Sequence, residues 1–197
     1  WLRSAAAAEF GIDRERIGVW GDSAGAHLAL LLACEDPESQ SSVQAVVARA
    51  APSDFDSFHL DDEDVPGSVL YKLFGGPNSS AEEARRAASP FHLVDSLDIA
   101  RLPPCLLVHG TRDETVPFAQ SANFVDKVTS LGGRASLRPV HEGFHGMTSD
   151  PHRYWANHPW ESLGREAAAF FHDHLGGPRA ACGFAGLPTV GAQAAGD

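Results

Sequence analysis

The sequence predicts an α/β fold, and three observations carry that prediction: short β-branched apolar runs, helix-spaced segments between them, and glycines at many junctions. The first segment, "WLRSAAAAEF", is alanine-rich and stops at Gly11, which predicts a short helix with a glycine end. "RIGVWG" predicts a short apolar strand, and "AGAHLALLLAC" a buried helix. "VQAVVARA" is too β-branched and too short to make a good helix, so a strand is expected there. Further on, "CLLVHG" predicts a buried strand, "FAQSANFVDKVTSLGG" a helix closed by glycines, and "ASLRPV" another strand. "WESLGREAAAFFHDHL" closes the ordered part, with Trp160, Leu163, Ala167, Phe170 and Phe171 compatible with one helical face. Strands alternating with helices make βαβ units, hence a mostly parallel sheet with helices on both faces.

Two stretches depart from this rhythm. From Asp54 to Leu97 an acidic run, "DFDSFHLDDEDVPG", precedes two short helical segments, "SVLYKLFGG" and "SAEEARRAAS", which together suggest a lid-like insert above the sheet. Residues 176–197 are rich in Gly, Ala and Pro without periodicity, so a disordered tail is expected after a single domain over residues 1–175.

Composition narrows the function. With 26 acidic against 15 basic residues the formal charge is −11, which repels phosphate backbones and anionic lipid, so neither nucleic acid nor a membrane is an expected partner. No apolar run approaches the roughly 20 residues that span a bilayer. Cys34, Cys105 and Cys182 are odd in number and lack CxxC spacing, which points to free structural thiols. Cys105, inside a buried strand, is a poor candidate for a thiolate nucleophile.

The strongest chemical signal is "VWGDSAGAH", residues 19–27. Here Ser23 stands between a strand and a helix, with Gly21 and Gly25 two residues away on either side. A serine at such a sharp turn is strained and requires small neighbours, which both glycines provide. The helix start directs amide hydrogens at the hydroxyl, and the Ala24 amide is the natural first oxyanion donor. The competing reading is an N-capping serine at a glycine-flanked helix start.

A serine nucleophile needs a base, and the base needs a carboxylate to orient it. "LLVHGTRDETVP" supplies Asp113 just past the carboxyl end of a buried strand, where parallel sheets place their sites. The adjacent Glu114 is expected to point elsewhere. "VHEGFHGM" supplies His141 and His145 after the next strand, and His145, in a flexible turn between Phe144 and Gly146, is the expected base. The surrounding "HEGFHGMTSDPHRYWANH" has no HExxH pattern, so no metal site is expected. His109 is expected to brace the acid loop by hydrogen bonding, and His27 to bond nearby backbone.

Together "DRERIGVWGDSAGAHLALLLA", "ASPFHLV", "LPPCLLVHGTRDETVPFAQS" and "EGFHG" resemble the α/β-hydrolase esterase/lipase group that includes acetyl esterases, feruloyl-esterase-like enzymes and arylformamidase relatives. The resemblance covers roughly residues 1–175. It implies Ser23 as nucleophile, Asp113 as acid and His145 as base, acting without a cofactor on a small-molecule carboxylic ester with a short acyl group. Ala26 stands where that group commonly has glycine. A larger departure is that only 22 residues precede Ser23 and none forms the "HGGG"-type loop that supplies a second oxyanion donor. The expectation is therefore a partial α/β-hydrolase fold, the carboxyl-terminal two thirds of an esterase, with that donor upstream of residue 1. The alternative is a catalytically incompetent fragment, or a non-catalytic remnant.

Overall fold

Every β-branched run becomes a strand in the computed structural model, which describes residues 1–4, 9–58, 66, 68–76, 81–147 and 160–176. Strand β1 (Gly18–Asp22) runs into helix α1 (Ala24–Ala33), and β2 (Ala45–Arg49) follows. The crossover to the next strand carries the short helices α2 (Val69–Phe74), α3 (Glu82–Ala87) and α4 (Pro90–Leu93), then two 3₁₀ turns at Val94–Ser96 and Ile99–Arg101. Strand β3 (Cys105–Gly110), helix α5 (Ala119–Ser130), strand β4 (Ala135–Val140) and helix α6 (Trp160–Leu175) complete the order. Among the described residues the sheet has four strands in the order β1-β2-β3-β4, all parallel. Parallel neighbours cannot be joined by a tight turn, which is why each connection holds helix.

Alternation along the strands divides the core into two layers. Val46, Ala48, Cys105 and Leu107 face one side, where Ala26, Ala29, Leu30 and Ala33 of α1 and Phe124, Val125 and Val128 of α5 cover them. Leu106 and Val108 face the other, against Leu163 of α6 and against Met147 in the turn after β4. Fully burying a side chain of this size stabilises by about 1.5–3 kcal/mol, and emptying the Phe124 site would cost about 3–5 kcal/mol. Strand β2 is buried along its whole length, whereas β1 lies at the sheet edge and is only half-buried. Among the described helices, none is long and apolar enough to cross a membrane.

The amino-terminal segment differs from expectation. Leu2 to Ser4 and Glu9 to Gly11 are turns; the remaining positions, 5–8, lie outside the described residues. Arg3 instead reaches across to Gln44 Oε1 at 3.2 Å and to the Ser42 carbonyl, while Trp1 and Phe10 stay largely exposed. Both helical segments expected in the 54–97 stretch form, as α2 and α3. The stretch packs through Phe55, Phe58 and Leu70 onto Val116, at the carboxyl ends of the strands. The expected tail beyond residue 176, and Cys182 with it, lies outside the described residues.

Candidate active site

Strand β1 ends at Asp22 and α1 begins at Ala24, so Ser23 alone turns the chain. Its backbone sits at φ 53° and ψ −118°, a conformation that costs a non-glycine residue about 1–3 kcal/mol and persists only when its surroundings hold it. Two bonds do so. The Ser23 amide donates to the Arg49 carbonyl at 2.8 Å, and the His27 amide donates to the Ser23 carbonyl at 3.0 Å. The hydroxyl caps nothing in α1, which disposes of the N-cap reading. Ala24, the first helical residue, presents its amide at the same turn.

Crowding at the elbow is one-sided. A Cβ on Gly21 would stand 2.0 Å from the Gly25 carbonyl oxygen and 2.7 Å from the Ala26 nitrogen, both backbone atoms. A Cβ on Gly25 would meet nothing within 4 Å. The expectation that both glycines are sterically required is thus corrected. The Gly25 carbonyl leans onto Gly21, while the side-chain direction of Gly25 itself is open.

The loops that carry Asp113 and His145 lock together backbone to backbone. Gly110, the last residue of β3, has no room for a side chain, since its Cβ would lie 2.2 Å from the Gly143 carbonyl oxygen. At that contact the Arg112 amide donates to the Gly143 carbonyl at 2.9 Å and the Thr111 amide to the Val140 carbonyl at 3.0 Å. From these loops His145 places Nδ1 2.7 Å from Asp113 Oδ2 and Nε2 3.0 Å from Ser23 Oγ. An ionised carboxylate only accepts, so Nδ1 carries the proton and Nε2 is left to accept from the serine hydroxyl. The structure thus brings Ser23, Asp113 and His145 into one chain of hydrogen bonds. It leaves His141 at the surface, with Nδ1 3.8 Å from Glu142, and Glu114 exposed.

Asp113 is the most perturbed group of this cluster. Burial pushes its carboxyl up, but hydrogen bonds from His109, His145 and the Val116 amide outweigh that and hold it well below the ordinary carboxylate range. Its Oδ1 accepts the Thr115 amide at 2.9 Å and the Val116 amide at 2.8 Å. His109 braces this loop, as expected. His27 places Nε2 2.7 Å from the Ala88 carbonyl, tying α1 to the end of α3; burial lowers its proton affinity and that carbonyl partly restores it. Burial raises the Cys34 thiol to about 12 and moves the Cys105 thiol well up, which leaves neither as a thiolate at neutral pH.

Two polar clusters at the carboxyl edge escape sequence reasoning. Arg49, almost fully buried at the end of β2, donates Nε to Asp22 Oδ1 at 2.7 Å and a second nitrogen to Asp22 Oδ2, so the residue before Ser23 is clamped. An arginine ending an otherwise apolar strand was the available signal. His92 of α4 brings Nε2 within 3.2 Å of Asp54 Oδ1 and 2.9 Å of Asp56 Oδ2. The "DFD" motif carries no hint of that partner 36 residues away.

The BD-FAE family model matches residues 1–128, a span that includes Ser23 and Asp113. A probable isoprenylcysteine alpha-carbonyl methylesterase of Arabidopsis thaliana is 32% identical over 143 residues, covering 66% of this chain and 30% of that protein. Esterase LipC of Mycobacterium tuberculosis is 31% identical over 147 residues, covering 66% and 34%. Among solved structures, a thermophilic esterase from the Planctomycetes species Thermogutta terrifontis is similar at a TM-score of 0.64 and 26% identity, covering 91% of this chain and 62% of that one. The chain spans about a third of the length of these two curated relatives.

Proposed function

Because the chain belongs to the BD-FAE family and has an α/β-hydrolase fold, we propose that it hydrolyses carboxylic esters through an acyl-enzyme on Ser23. The observation that carries this reading is the unbroken relay from Ser23 Oγ through His145 to Asp113 Oδ2, at 3.0 and 2.7 Å, set on a strained elbow. In the forward step Ser23 Oγ attacks the ester carbonyl carbon as His145 Nε2 takes the hydroxyl proton. Asp113 keeps the ring in the tautomer that can accept it and stabilises the imidazolium that forms. The oxyanion develops beside the Ala24 amide. Collapse of the tetrahedral intermediate expels the alcohol, which leaves with the proton from His145. Water then attacks the acyl-enzyme by the same relay in reverse, releasing the acid.

The family supports ester chemistry in general, and two finer assignments belong to this proposal. The acyl group is short, and the Ala24 amide is an oxyanion donor. The 54–97 stretch, packed at the same edge as Ser23, is proposed as a lid over the substrate. A fluorophosphonate probe followed by peptide mapping tests the nucleophile, with adduct expected on Ser23. p-Nitrophenyl esters of increasing acyl length test the specificity, with kcat/KM expected to peak at short chains. A folded chain that neither reacts nor hydrolyses any of these esters overturns the proposal in favour of a non-catalytic remnant.

A further inference from the structure

Beyond the three-residue relay, Asp113 has a second imidazole beside it. His109, in β3, is completely buried and places Nε2 3.2 Å from Asp113 Oδ2, the same oxygen that accepts from His145 Nδ1. The same Nε2 lies 2.9 Å from the Val116 carbonyl, and Nδ1 lies 2.7 Å from the hydroxyl of Ser121, also completely buried. A carbonyl and a carboxylate can only accept, so the proton sits on Nε2, bonded to the Val116 carbonyl with the Asp113 carboxylate beside it. Nδ1 then accepts from the Ser121 hydroxyl, and one ring proton satisfies every contact. Asp113 Oδ2 thus accepts from His145 Nδ1 and lies 3.2 Å from His109 Nε2, while Oδ1 accepts two amides. With three donors and the His109 N–H converging on it, the carboxylate has one rotamer in which all are met, and in that rotamer Oδ2 faces His145.

We infer that His109 is a positioning residue, which with Ser121 fixes Asp113 Oδ2 against His145 and so extends the relay to Ser23, His145, Asp113, His109 and Ser121. The inference rests on the proposed hydrolase reading for its kinetic consequence, though not for its structural one. His109 touches neither the ester nor a reacting atom. Its effect passes through the orientation of Asp113.

The test compares His109→Phe, which removes the donor at similar volume, with His109→Gln, whose side-chain amide can still donate to Oδ2. It has two readouts on the 197-residue chain. One is the far-downfield proton resonance of the His145 to Asp113 hydrogen bond, recorded without substrate. The other is kcat and KM on a short-chain p-nitrophenyl ester. His109→Phe is expected to shift or broaden the resonance and to lower kcat on the order of tenfold with KM unchanged, the loss of one hydrogen bond to a charged acceptor. His109→Gln restores most of both. A merely structural histidine lowers Tm without moving either readout. Should His109→Phe not fold, Ser121→Ala keeps the imidazole and frees only its tautomer, with the same changes expected at smaller size. An unchanged resonance and unchanged kcat, in folded His109→Phe or failing that in Ser121→Ala, overturn the inference while leaving the hydrolase reading standing. If the parent hydrolyses no ester yet the resonance moves in His109→Phe and returns in His109→Gln, the hydrolase reading falls and the positioning role stands.

Discussion

Replacing Gly21 by alanine isolates the geometry of the elbow from its chemistry, because no catalytic atom is removed. The new methyl carbon would begin 2.0 Å from the Gly25 carbonyl oxygen and 2.3 Å from its carbon. An ordinary contact needs roughly 3.5 Å, so the two backbones must separate by about 1.5 Å. Neither atom is the end of a flexible side chain, and the first turn of α1 has to give. That turn carries Ser23, whose hydroxyl then leaves hydrogen-bond range of His145. Misplacement by about 1 Å can cost about 10²-fold in rate, and forced overpacking costs about 1–3 kcal/mol. At roughly 2–4 °C per kcal/mol for a domain of this size, the Tm should fall by about 2–12 °C. The control is Gly25→Ala, whose methyl meets nothing within 4 Å. Inside a helix that change is worth up to about 1 kcal/mol in the stabilising direction, so the two variants should move Tm in opposite senses. The assay is steady-state hydrolysis of a short-chain p-nitrophenyl ester beside thermal unfolding by circular dichroism. Parent-level kcat/KM in Gly21→Ala, or an equal loss in Gly25→Ala, refutes the reasoning.

Ser23→Ala should abolish both hydrolysis and fluorophosphonate labelling with Tm near that of the parent; activity within a few-fold of the parent would place the nucleophile elsewhere. Asp113→Asn should lower kcat on the order of 10⁴-fold, since the amide favours the wrong imidazole tautomer, whereas Glu114→Gln should leave it nearly unchanged; the reverse ranking would reassign the acid. Because the folded-state pKa of Asp113 is depressed, the stability it contributes is complete above the ordinary carboxylate value of about 3.9 and is lost as pH falls towards the lower folded value. The Tm difference between parent and Asp113→Asn should therefore shrink on going from about pH 6 to about pH 3, and a constant difference would contradict the linkage. Cys34 and Cys105, with thiols raised by burial, should resist iodoacetamide in the folded chain at about pH 8, checked by mass spectrometry before and after denaturation; rapid alkylation of either would mean that its burial is transient.

The sheet was readable in the sequence because each strand is a compact β-branched run with helix-length spacing between, and "AVVAR" and "CLLVHG" have few other stable fates. Ser23, Asp113 and His145 were nameable because each lies in a local pattern just beyond a strand. Contacts between distant segments carry no such pattern. The Arg49 clamp on Asp22 crosses 27 positions, and the His92 contact with Asp54 and Asp56 depends on how the β2 to β3 crossover folds back. Gly21 and Gly25 are equivalent in the five-letter motif and unequal in space, because a string records identity and not the direction in which a carbonyl leans. At the amino-terminal start, where residues 2–4 and 9–11 form turns, the opposite holds. Its local preference is clear, but preference without burial is weak.

Ser23 and His145 are separated by 122 positions, and their 3.0 Å contact forms only when both ends of the described sheet are in place. During folding, every strand from β1 to β4 must take its register before the serine meets its imidazole, and such long-range parallel pairing is slow compared with helix formation. The proposed reactivity of Ser23 is thus a clock. In a refolding experiment quenched at intervals with a fluorophosphonate, the rise of label on that one residue would time the closing of this 122-position loop, while circular dichroism would already have reported most of the helix.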